Sequence, residues 1–259
     1  MLIWTRELWR RITSAIGKPK IIISRPPEPT WRQRALAAAQ EFYDRNIVDG
    51  TPEGNQVIGV EIIGQATGRP DPDYRNHKTA WCGYFVQCCM RKAEFNNAIS
   101  LASPGKALYP YGHYRAETLE GAEDWALDTR TGEIERIEDL HRRLGKLRVV
   151  TKLPGPVTPG DIILHFRKNS WGGHVMMAES VDEEAGAFTV VEGNSYKTTG
   201  PDGKRRDGVG KRSFNLDDPY LACAVSPSEL DFDPAYRYFA TRKKAEKAWA
   251  QLQEEAGNG

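Results

Sequence analysis

Apolar positions in the first half of the chain recur at helical spacing, whereas in the second half they run in short blocks of the kind that form strands. Between residues 2 and 16, Trp4, Leu8, Ile12 and Ala15 or Ile16 fall on one side of a helix while Arg6, Arg10 and Arg11 fall elsewhere, which predicts a short amphipathic helix. Pro19 and the run Pro26-Pro27-Glu28-Pro29 then stiffen the chain into a linker. Thr30 is placed to cap a helix over about 31–47, in which Leu36, Ala39, Gln40 and Tyr43 mix buried and exposed positions. A turn at 50–55 leads to a second helix over about 56–64. A loop rich in Gly, Pro and Asp follows over 65–80 and precedes an apolar helix over about 80–94. After Pro159 the pattern predicts strands at about 161–167, 173–181 and 187–193, with weaker ones near 209–215 and 220–226. A helix headed by Asp233, over about 234–255, closes the series. Helices first and an antiparallel meander afterwards make the expected class α+β.

Residues 95–158 resist this reading. Pro104-Gly105, Tyr109-Pro110-Tyr111-Gly112 and Thr131-Gly132 mark turns, and a short helix is expected over 137–144. The aromatics Tyr109, Tyr111, Tyr114 and Trp125 suit either the wall of a substrate groove or ordinary packing.

A chain of 259 residues, 39% hydrophobic, can build one well-packed domain with appendages or two small ones. A net charge of +1 creates no global field for nucleic acid, and none is expected as a partner. The charge is uneven, however: residues 1–34 hold eight Lys or Arg against Glu7 and Glu28. The arm is therefore expected to dock on the body, on a delivery partner or on a membrane surface. No stretch approaches the ~20 apolar residues that span a bilayer. Arg6, Glu7, Arg10 and Arg11 interrupt any secretory apolar segment, so no signal peptide is expected. Lys204-Arg205-Arg206 reads as the solvated tip of a Gly-rich hairpin.

The chemistry centres on one of four cysteines. Cys88, Cys89 and Cys223 read as buried core thiols, and no Cys-x-x-Cys pair offers a structural zinc site. Neither a GxGxxG motif, a P-loop nor an acidic metal cluster is present in the sequence, so no cofactor or metal is expected. Cys82, in Trp81-Cys82-Gly83-Tyr84-Phe85-Val86, stands at the start of the apolar helix, where free N–H groups and the positive dipole end favour a thiolate. Downstream, His174 opens one strand and Glu192 and Asn194 close the next. Alternation puts His174, Met176 and Ala178 on one strand face, and Val190, Glu192 and Asn194 on one face of its neighbour. If both faces turn toward the cysteine helix, His174 reaches Cys82 while Glu192 or Asn194 holds its far ring nitrogen. The charge of Glu192 is the better stabiliser of an imidazolium. His165 lies mid-strand, and His77, His113 and His141 are expected in loops or on an exposed helix. The backbone N–H of Cys82, with Asn76 as a candidate side-chain donor, would stabilise an oxyanion.

Three blocks stand in order: Trp81-Cys82-Gly83-x-Phe85-Val86; Gly160-Asp161-Ile162; and Gly173-His174-Val175 followed by Glu192-Gly193-Asn194. Together they resemble the CHAP family, the cysteine, histidine-dependent amidohydrolases and peptidases that cut bacterial peptidoglycan, relatives of the NlpC-type peptidases. The resemblance covers about residues 31–226, with an insertion at about 95–158. It leaves 1–30 as a basic amphipathic arm with a Pro-rich linker and 227–259 as a C-terminal helical extension. It implies a papain-like CHAP fold, with the nucleophile helix packed on an antiparallel β-meander. It also implies roles: Cys82 the nucleophile, His174 the base and later the acid, Glu192 the orienting group, Asn194 an auxiliary polar group. The implied activity is amidase or endopeptidase cleavage of wall-peptide amide bonds, without a cofactor, with bacterial peptidoglycan as partner. The setting would be phage or effector-like: synthesis in the cytoplasm, then delivery to the periplasm or wall by a holin, a virion or a secretion apparatus. Two alternatives stay open. The order cysteine, histidine, acid does not name the acyl acceptor, so a thiol acyltransferase fits; so does an inactive CHAP-like structural or adaptor module of a virion or secretion machine.

Overall fold

The structure, a computed structural model, describes residues 29–74, 80–95, 125–145, 149–166, 173–195, 198–239 and 241–257. The N-terminal arm, Asn76, His77, His113, Tyr109, Tyr111 and Tyr114 lie outside the described residues.

Helix α1 is Trp31–Asp44. Thr30 caps it reciprocally: its hydroxyl accepts from the Gln33 N–H at 3.3 Å, and Gln33 Oε1 accepts from the Thr30 N–H at 2.8 Å. Ala35, Ala38, Ala39 and Phe42 form its buried stripe, three of them small enough to let a neighbouring helix approach closely. Helix α2 begins at Pro52–Gln56 under a Thr51 cap, widens to π-helical geometry over Val57–Ile63 and ends at Gly64–Thr67. Gly68, at φ 73°, stops it in the left-handed conformation open to glycine. Helix α3, Cys82–Lys92, packs on α1 with Phe42 and Phe85 edge to face at 6.0 Å. Its last-turn Arg91 and Lys92 suit the negative dipole end.

The main sheet has six antiparallel strands: β3 (Val149–Lys152), β4 (Ile162–Phe166), β5 (Gly173–Asp182), β6 (Ala187–Glu192), β9 (Gly210–Asn215) and β10 (Leu221–Ser226). A small hairpin of β7 (Thr198–Thr199) and β8 (Arg205–Arg206) interrupts the chain between β6 and β9. The strand order is β3-β10-β4-β5-β6-β9. The expected meander therefore holds only from β4 to β9. β10 crosses back to pair with β4, and β3 adds a sixth strand outside it. Both faces of the sheet are buried, which is why β4, β5 and β10 read as apolar runs rather than alternating strands. Ile162, Leu164, Val175, Met177, Val191, Cys223 and Val225 pack under α1 and α3, while Ile163, Met176, Ala178, Phe188, Val190, Phe214 and Ala224 form a second core on the opposite face.

Asp161, in the Gly-Asp-Ile block, is a structural fastener. Its carboxylate takes a 2.7 Å ion pair from Arg32 of α1, the Thr158 N–H at 2.8 Å and the Ser226 hydroxyl, so one buried acid ties α1 to β4 and β10. The hairpin is more anchored than its sequence suggests: Arg206 donates to Gly50 O at 2.8 Å and pairs with Asp202 at 2.6 Å, leaving Lys204 and Arg205 exposed.

Residues 125–144 and the chain after 226 come together, which the sequence did not indicate. Strands β1 (Trp125–Asp128), β2 (Ile134–Arg136) and β11 (Tyr236–Phe239) form a second antiparallel sheet in the order β11-β1-β2. Helix α4, Ile137–Leu144, and helix α5, Arg242–Gly257, pack against it. The C-terminal segment is thus not only helical. Tyr236 and Tyr238 face inward in alternation and pair with β1 where a continuous helix over 234–255 was expected, and the helix starts at Arg242. His141 is a second correction. Expected on an exposed surface, it is buried on α4, with its Nε2 3.1 Å from the Tyr238 hydroxyl. Trp125 lies in β1 with Arg136 and Arg242 over its ring. No helix among the described residues is long and apolar enough to cross a membrane.

Candidate active site

Cys82 is the first residue of α3, after Trp81, whose side chain offers no capping hydrogen bond. The first N–H groups of the helix are thus left for other acceptors. The thiol lies near them, and the amides of Gly83 and, across from it, of Val175 on β5 favour its charged form. That second contact has a geometric cause. Ala178 exchanges backbone hydrogen bonds with Asp161 and Gly160 on the β4 side, so alternation aims Met177 and Val175 toward β6. The β5–β6 pairing runs out at Met177 opposite Val191, so the amide of Val175 just beyond it is left to face the thiol.

This placement corrects one expectation. The sheet face that α3 covers is that of Val175, Met177 and Val191, so alternation puts His174 and Glu192 on the opposite face, with Met176, Ala178 and Val190. Cys82 meets His174 around the ends of the strands and not across a shared face. His174 Nε2 sits 2.8 Å from Glu192 Oε2, which leaves Nδ1 as the ring nitrogen that can act on the neighbouring thiol. With Glu192 ionised, Nε2 carries the proton that it donates to the carboxylate, and the tautomer is set.

Asn194 does not join this group. The strand ends at Glu192 and Asn194 turns to φ 61°, so the alternation that would have kept it beside Glu192 has already lapsed. The group the sequence did not reveal is Arg212 of β9. Its guanidinium donates to the same Glu192 Oε2 at 2.9 Å. The signal was present only as a basic residue in an otherwise weak strand. Ser195, also buried, lies beside Glu192, although its hydroxyl completes no hydrogen bond of normal geometry.

Burial acts against every charge in this cluster, yet each is held. Burial pushes the Cys82 thiol up, but the hydrogen bond and charge of His174, with the Val175 and Gly83 amides, outweigh it and leave the thiol below its ordinary value. Burial pulls His174 down, while its hydrogen bonds to Cys82 and Glu192 raise it to about 9. Glu192, only 1% exposed, would be pushed up by burial but is held below the usual carboxylate range by His174, Arg212 and Ser195. The arrangement favours a thiolate beside an imidazolium backed by a carboxylate, a set whose chemistry is attack on an electrophilic carbonyl followed by proton delivery.

The other three cysteines are free and buried, and burial pushes Cys88 and Cys223 up to about 12 and Cys89 well above its ordinary value. Iodoacetamide at neutral pH is accordingly expected to modify Cys82 first, since thiolate fraction governs the rate. Peptide mapping of partly alkylated protein checks this, and early labelling of Cys88 or Cys89 would move the reactive thiol elsewhere. Among the described residues, no group of three His, Cys, Asp or Glu is arranged to hold a metal ion.

Gly193 sets how closely the helix tip approaches the sheet. A Cβ there would lie 2.6 Å from Phe85 Cβ and 2.6 Å from the Trp81 ring, and both residues are fully buried. Gly193→Ala is expected to cost about 1–3 kcal/mol by overpacking and to lower turnover by displacing Cys82 from His174. Thermal unfolding and steady-state kinetics on the one variant read both effects.

No protein-family model, curated protein sequence or solved structure matches the chain.

Proposed function

We propose that the chain is a cysteine amidohydrolase or endopeptidase of the CHAP type, with a papain-like arrangement of helix and sheet, acting on amide bonds of the peptide in bacterial peptidoglycan. The observation that carries this reading is selective activation. Of four cysteines only Cys82 is held below its ordinary pKa, and it is the one whose charged form is favoured by a neighbouring histidine that a buried carboxylate orients. The substrate class rests on the resemblance of the three sequence blocks, and in support of it two of them, those of Cys82 and of His174 with Glu192, meet at one site, while Asp161 of the third fastens the strand beside it.

In this mechanism Cys82 Sγ attacks the amide carbonyl carbon and the C=O π pair moves to oxygen. The Cys82 N–H, one of the open helix-start amides, faces the developing oxyanion. As the tetrahedral centre collapses, the C–N bond breaks and His174 Nδ1 gives its proton to the departing amine. A water then loses a proton to neutral His174 as its oxygen attacks the thioester. Collapse expels the thiolate and releases the carboxylic acid. Glu192 holds the imidazole by Nε2 throughout and keeps its own charge.

The place of action would be the periplasm or wall after delivery, with the segment before residue 29 as the docking arm. Zymography on purified sacculi, followed by mass spectrometry of the fragments, tests the proposal. Soluble muropeptides with new amino and carboxyl ends are expected, and their masses name the bond. Sacculi left intact by protein that alkylates normally at Cys82 would reject the substrate class. Products carrying an amine in place of water would identify an acyltransferase.

A further inference from the structure

Two cations converge on a single oxygen in this site. His174 Nε2 and the Arg212 guanidinium lie 2.8 Å and 2.9 Å from Glu192 Oε2. The register explains why Arg212 can reach it. On β9, Arg212 stands opposite Val190 and Gly210 stands opposite Glu192, so Arg212 shares a sheet face with Glu192 and is its diagonal neighbour across the pair. The guanidinium is held from other sides as well, 4.4 Å over the Phe214 ring and with Nη2 3.5 Å from Met176 Sδ, although its buried Nε makes no hydrogen bond. A side chain fixed at three points and aimed at the orienting carboxylate is more than a surface ion pair.

We propose that Arg212 is a positioning residue, which holds Glu192 Oε2 in line with His174 and, as a second cation on that oxygen, tempers the pull of the carboxylate on the imidazolium proton. This rests on the reading of Cys82, His174 and Glu192 as a catalytic set. The chemical need is clear. An imidazolium clamped by a buried, unshared carboxylate is a poor acid, whereas proton delivery to a leaving amine is fastest when the acid's pKa lies near the working pH. Sharing Oε2 weakens the clamp without loosening its geometry.

The charged and titratable groups facing His174 are Cys82 from α3, His165 from the paired position on β4, Glu192 from β6 and Arg212 from β9. His165 is pulled down by its burial and then by Arg212, so its surroundings disfavour a charge there. Removing the Arg212 charge therefore leaves Glu192 to act on His174 unopposed, and the sign of the change is upward.

The test titrates the His174 ring by NMR in full-length protein, wild type against Arg212→Gln and Arg212→Lys. The Gln variant is expected to raise the His174 pKa by about one unit, the size of a like charge removed at this range. Its kcat should fall, its KM should stay unchanged, and the alkaline limb of its pH profile should move up. Arg212→Lys, which keeps the charge, should keep the wild-type titration. An unmoved or lowered His174 pKa in the Gln variant overturns the proposal, and so does an upward shift in the Lys variant, which also decides the matter if the Gln variant does not fold. The titration uses no substrate, so an unreactive sacculus would reject the peptidoglycan reading and leave this inference to stand or fall by itself.

Discussion

Cys82→Ala is expected to abolish amide hydrolysis, with a loss of about 10⁶-fold in kcat, the scale on which removal of a covalent nucleophile is felt. The variant should remain folded, because alanine fills most of the small volume of a cysteine and the helix start needs no side chain there. Cys88→Ala and Cys89→Ala act differently. Both thiols sit in the core with burial as the dominant influence, so the expected cost is about 1 kcal/mol of stability each and little change in turnover. Fluorogenic stem-peptide hydrolysis beside chemical denaturation separates the two behaviours. Full activity in Cys82→Ala would remove the thiol from the chemistry altogether.

Glu192→Gln is expected to lower kcat by about 10²- to 10⁴-fold, within the range set by loss of an orienting carboxylate in a catalytic triad. Glutamine keeps the shape but not the charge. Its amide can present N–H to Nε2 and favour the wrong tautomer, and Arg212 then faces no anion. The pH dependence carries the sign. Glu192 is one of the groups that raise His174 to about 9, so without it the imidazolium loses its proton at lower pH. The wild-type profile should rise as Cys82 ionises on the acid side and decline near 9, and in Glu192→Gln the alkaline limb should move down. This is opposite in direction to the effect of Arg212→Gln. Asn194→Ala should retain most activity, because Asn194 leaves the strand at φ 61° and His174 is already held by Glu192. A larger loss in Asn194→Ala than in Glu192→Gln would transfer the orienting role.

What the sequence by itself determined is the local layer. Thr30 announced the start of α1, the Gly and Pro positions bounded β4, β5 and β6, and the apolar run after Trp81 marked α3 with a cysteine at its tip. These are short-range effects, of capping, turn chemistry and period, and they are legible because each depends on neighbours within a few residues. The pairing of Cys82 with His174 was legible through order and spacing, although not the path between them. Only the tertiary structure decided that the two meet around the strand ends, because the side of the sheet that a helix covers depends on both cores. Asn194 fell away because a strand's last residue is set by pairing, and the register between β6 and β9 ends at Glu192 opposite Gly210. Arg212, 20 positions from Glu192 in sequence, entered through that same register. The second sheet is the clearest case: β11 pairs with β1 across more than a hundred residues, and β1 and β2 are too short, at four and three residues, to declare a period. Such strands acquire their identity from their partners, since a strand of that length cannot satisfy its backbone or bury a face alone.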